Sequence, residues 1–152
     1  MHPAMEITIT KIIHLLAMGI WVGAGLTAPF DVRRTIRLGK PHTDPLLDRL
    51  RLTVRILISA GVVTVATGLA LVFLKGGFKA VSPRIHVGML LSLIALAVGC
   101  VGVVPALRGL GHALASGDEA RARALGLRFE IATWSEEMLR LIVLALMVGA
   151  GK

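Results

Sequence analysis

The chain has no tyrosine, one cysteine and only 4% aromatic residues. The lone Cys100 excludes a disulfide framework and any Cys-x-x-Cys metal clip. Charge is scarce as well: 17% of residues are Asp, Glu, Lys or Arg, against about a quarter in soluble domains. There is no nucleophile elbow, no Gly-rich phosphate loop and no His-Glu-x-x-His zinc motif, so hydrolase and nucleotide chemistry have no foothold. What is present is apolar. Hydrophobic residues make up 55% of the 152 positions and the mean hydropathy is +0.80, which points to lipid as the solvent.

The net charge is +8, but the basic residues sit in connectors between apolar runs. That placement reads as membrane topology and contact with anionic headgroups. Without aromatic-basic interleaving or a binding motif, it does not read as nucleic-acid recognition. The first apolar run reads as a retained span and not a cleaved leader, because the charge bias is reversed: Lys11 alone precedes its core, while seven Lys or Arg lie in 31–55.

About 20 uncharged residues are needed to cross a bilayer core. Four spans meet that requirement, near 7–30, 54–74, 85–107 and 129–150. The fourth is the least clean, since Met138–Ala150 is only thirteen residues and contains Arg140, so it must draw in part of 129–137. Ser82 and Pro83 provide an N-cap hydroxyl and a first-turn proline for the third span. Pro and Gly at 39–45 mark a turn leading into an amphipathic start of span 2, and Ser116-Gly117-Asp118 marks a break and a new N-cap.

The connectors after spans 1 and 3 carry eleven basic residues, against five on the other side. The positive-inside rule then places both connectors in the cytoplasm and both termini on the outer, periplasmic side. The expectation is an all-α, four-transmembrane-helix bundle forming a single integral-membrane domain over 1–152, multi-pass in a bacterial inner membrane. Its partners would be the bilayer and either a membrane protein or a second copy, with Gly19-x-x-x-Gly23 allowing close helix approach.

Polar groups inside a bilayer are costly, so each calls for an account. His14, Met18, Trp21 and Gly25 recur at four, three and four residues, on one face of the first helix. His86 and Met89 share a face near the start of the third, in the same leaflet as His14. Two imidazoles on facing helices suit axial ligation of haem iron. Arg84 would pair with a propionate and Trp21 would lie beside the ring. His14, His86, Met18 and Met89 equally suit Cu(I), which favours soft ligands. The bland reading, a non-enzymatic structural or assembly subunit, has His86 snorkelling, His14 bonded to a neighbouring helix and the methionines as core filler. Cys100, fourteen residues from His86 and about 21 Å along the helix, is expected to be a buried, inert thiol. Glu136, Glu137 and Arg140 form i,i+4 and i,i+3 pairs at membrane depth. They are either a proton path or cofactor partner in the bundle interior, or an ion pair beside a cytoplasmic polar vestibule. His2, His42 and His112 read as solvated.

The first-helix sequence, with His14, Trp21 seven residues later, Gly23, Gly25 and Pro29, resembles the opening helix of a group of small four-helix membrane proteins. The group includes HemJ-type protoporphyrinogen oxidases and CopD-like copper-resistance domains, and His86 near the start of a third helix fits its pattern. The HemJ likeness implies haem b on His14 and an electron-carrying or oxidoreductase role. The CopD likeness implies copper on His14, Met18, His86 and Met89. Phe30 and Gly88 stand where HemJ-type proteins have Arg and Lys, a departure from the oxidase pattern.

Overall fold

The computed structural model describes residues 3–149, which are helical wherever they are not turns. His2, Lys152 and the expected end of the fourth span at Ala150 lie outside the described residues. Helix α1 runs Pro3–Leu38, α2 Leu46–Leu74, α3 Pro83–Val98, α4 Val104–Ser116 and α5 Glu119–Gly149. A π-helical turn, Gly99–Val103, joins α3 and α4 into one continuous rod. The chain is therefore four long rods joined by short turns. Three of them, Ala4–Leu38, Leu46–Leu74 and Pro83–Ser116, are long and apolar enough to cross a membrane.

The stops follow turn chemistry. Gly39, after α1, adopts φ +67°, and Gly117, after α4, adopts φ +71°, the left-handed conformation that glycine reaches without Cβ strain. At Gly117 the amides of Gly117 and Asp118 return to the carbonyls of Leu114 and Ala113. The Asp118 carboxylate then accepts from the Arg121 amide at 2.9 Å and opens α5, as its position suggests. Ser82 has the extended backbone of an N-cap, but its hydroxyl makes no capping bond. The π turn has a local cause. Pro105 brings no amide to the carbonyl four residues back, and the Val104 amide reaches Gly99 instead of Cys100.

Short connections make consecutive rods antiparallel neighbours. The Arg84 guanidinium donates to the Gly149 carbonyl at 2.7 Å, so α5 ends beside the start of α3. Both described ends thus lie at one end of the bundle. Near the other end, Arg49 makes a two-pronged bond to Asp31 at 3.0 Å, tying α2 to α1.

The interior has two apolar layers. One, toward the basic connectors, includes Val32, Leu50, Val103, Leu110 and Phe129; the other includes Met18, Trp21, Leu57, Ala95 and Val143. The outside is just as apolar, with Leu16, Phe30, Val62, Leu90, Val101 and Val148 exposed. A surface of that kind is covered by lipid or by another chain. Gly19 and Gly23 are exposed and a Cβ at either would meet nothing, so within this chain they admit no neighbouring helix. One expectation is corrected here. Cys100 is exposed: the inward face of this rod runs through Gly88, Ser92, Ala95, Gly99 and Val103, and Cys100 lies off it.

Candidate functional site

His14 and His86 do come together. They line one cavity of about 380 Å³ with Met18, Met89, Met147 and Ser92. Apart from Thr64, the remaining lining, Val65, Leu69, Phe78, Leu90, Leu93 and Val143 among it, is apolar. The His14 Nδ1 lies 3.0 Å from the Thr64 carbonyl and 3.0 Å from the Thr67 hydroxyl. Since the Thr67 hydroxyl proton is directed at the Val63 carbonyl 2.6 Å away, both of these oxygens accept and Nδ1 carries the imidazole proton. In the neutral ring Nε2 is then left with a free lone pair.

His86 repeats the arrangement more loosely. Its Nδ1 faces the Ser82 carbonyl, one turn back, at 3.2 Å. The ring is exposed at the cavity mouth and lies 5.9 Å from the Phe78 ring. A backbone carbonyl holding one ring nitrogen is the usual way a protein orients an imidazole that ligates through the other. Two imidazoles with Nε2 available and three thioethers line a single cavity. The third thioether, Met147, was not visible in the sequence, because its face on α5 is known only once α5 is docked. Among the described residues, no three or more of His, Cys, Asp and Glu converge as metal ligands.

Two residues expected at this site are elsewhere. Arg84 does not line the cavity, because its guanidinium satisfies an α5 carbonyl that the helix end leaves without an intrahelical partner. Trp21 is fully buried one layer deeper, with the Arg140 guanidinium 5.3 Å from its ring. His42 and His112 are exposed, as expected.

The Glu136–Arg140–Glu137 cluster is in the bundle interior, not in a vestibule. Side-chain exposure is 4% for Glu136 and 0% for Glu137 and Arg140. Arg140 Nη1 donates to the Trp21 carbonyl at 2.6 Å and to Glu137 Oε2 at 2.7 Å. Its Nη2 forms an ion pair with Glu136 Oε1 at 2.6 Å, off the hydrogen-bond direction. Among the described residues, Glu137 Oε1 and Arg140 Nε are buried without a protein partner. Moving one such ion from water into an idealised dry interior costs on the order of 20 kcal/mol, and several after relaxation, so unmatched charge here is heavily penalised.

The helices make room for these groups by omitting Cβ atoms. A Cβ on Gly25 would collide with Glu137 Oε2 and Arg140 Nη1, and one on Gly99 would sit 3.0 Å from Glu136 Oε1. On α2, a Cβ on Gly61 would stand 2.9 Å from the Trp21 indole. Along α1 the inward face reads His14, Met18, Trp21, Gly25, and along α5 it reads Met147, Val143, Arg140 and Glu137, then Glu136. The cavity lined by His14 and His86 and the ion cluster are therefore stacked layers of one interior column.

No family model matches the chain. Neither a curated protein nor a solved structure matches it.

Proposed function

We propose that this chain is a four-span integral membrane protein that binds haem b between α1 and α3 and serves as an electron carrier or oxidoreductase. The single observation behind this is the pair of carbonyl-pinned imidazoles in one apolar cavity. His14 and His86 would hold the iron through Nε2, and haem supplies one-electron chemistry when bound. Thr64 and Thr67 orient His14, and the apolar lining limits water around the site. The HemJ-like first helix points the same way.

Four rather than three spans is supported by α5, whose three charged interior groups face inward while its outer face carries Ile131, Met138, Leu141 and Ile142 exposed. The basic connectors favour the cytoplasmic side for the end opposite His14. Reporter fusions at the two termini and in the 39–45 turn check this. A periplasm-active reporter is expected to work at both termini and fail at the turn; activity at the turn would invert the topology.

Copper is the second reading, and Met147 is the observation that favours it. Two imidazoles and three thioethers make a soft donor set suited to Cu(I). Optical spectroscopy of the purified protein separates the two. The haem reading expects a reduced-minus-oxidised haem b spectrum that falls at least about tenfold in His14→Ala. No such spectrum after haem is supplied, together with Cu(I) retention that disappears in a Met18→Leu, Met147→Leu variant, would establish copper instead.

A further inference from the structure

The Glu136–Arg140–Glu137 cluster contains two carboxylates and one guanidinium, so it carries a net negative charge if all three are ionised. Among the described residues, Arg140 is the one cation paired with it. The groups facing it from α1 are the Trp21 carbonyl and the space at Gly25, and from the π turn it meets Gly99. The Trp21 indole is backed by Gly61 of α2. None of these positions titrates. Phe129 and Thr133 close the column on one side, fully buried, and Met18 and Val143 close it on the other. His14 is the next titratable group on α1, two turns beyond Trp21, and its Nδ1 proton is committed to α2. Arg33, Arg49 and their carboxylate partners are outside the column and at least partly exposed.

An interior this closed neutralises excess charge by taking up a proton, not by sustaining an unpaired carboxylate. Glu137 offers the place: Oε2 accepts from Arg140, while Oε1 is buried with no protein donor. We propose that the cluster is a proton-binding site, holding one proton from solvent on the Glu136/Glu137 pair at neutral pH. Binding is the addition of H⁺ to one carboxylate, giving a carboxylic acid, with no electron moved. The assignment rests on burial and charge balance, whatever fills the neighbouring cavity.

Infrared spectroscopy of the full chain in lipid nanodiscs tests this. The wild type is expected to show a protonated-carboxyl C=O band at neutral pH, where the exposed carboxylates are ionised, and the band shifts down in D₂O. Glu136→Gln and Glu137→Gln should each lose the band completely, because one remaining carboxylate balances Arg140. That double loss is peculiar to charge balance; a proton held by one residue's local surroundings would vanish in only one variant. Absence of the band in the wild type overturns the proposal with no variant needed. So does a band that survives in either Gln variant eluting as a folded protein.

Discussion

Replacing Arg140 with methionine should be among the most damaging single changes in the chain, costing about 3–5 kcal/mol, the usual effect of removing one partner from a buried ion pair. Methionine fills much of the space but leaves Glu136 and Glu137 with no cation, and it removes the donor to the Trp21 carbonyl. Glu136→Gln and Glu137→Gln should cost far less, since each leaves one carboxylate matched to Arg140 and keeps an amide oxygen where an acceptor was. Denaturant unfolding in detergent micelles reads the difference. An Arg140→Met protein as stable as either glutamine variant would show that packing, not charge, holds this layer.

The second large effect is expected at Gly25. Adding one methyl group there places it against the Glu137 carboxylate and the Arg140 guanidinium, which give way only by disturbing the bonds that join them to each other and to the Trp21 carbonyl. Overpacking typically costs about 1–3 kcal/mol, and weakening a buried hydrogen bond to a charged group adds about 1.5–3 kcal/mol. Gly25→Ala should therefore lose roughly 3 kcal/mol or more. Gly23→Ala, two residues away on the outward face, meets nothing, and should be neutral or gain up to about 1 kcal/mol from helix propensity. Equal stabilities for the two would mean that α1 does not approach α5 as closely as described.

Much of the helical layout was legible because its signals are local. Uncharged run length locates the first three rods, and Gly39, Gly117 and Asp118 mark stops and starts through backbone preferences that need no partner. Spacing along α1 placed His14, Met18, Trp21 and Gly25 on one face, and the structure puts that face inward. The fourth rod was harder to read. Hydropathy averages around a helix regardless of face, so Glu136, Glu137 and Arg140 lower its score even though they are internal and mutually paired. Arg84 was assigned to the site from its position at a helix end, but its partner, the Gly149 carbonyl, is 65 residues away. Cys100 is expected inside, but the inward face of its helix runs through Gly88, Ser92, Ala95 and Gly99, and the next residue along turns away from it.

By itself the sequence determined that this is an apolar, all-helical chain with its basic charge gathered in two connectors. It also determined that His14 and His86 belong toward one end, with a charged triad deeper on the last helix. Those are consequences of run length, periodicity and charge placement, which act over a few turns of chain. Only the tertiary structure decided that the two imidazoles share a cavity with three thioethers, that each is pinned by a carbonyl, and that Arg84 stays out of it. It alone placed the triad in a closed layer beneath that cavity, with Gly25, Gly61 and Gly99 making the room. Each of these depends on which faces of distant helices meet, and that is settled by packing summed over the whole bundle.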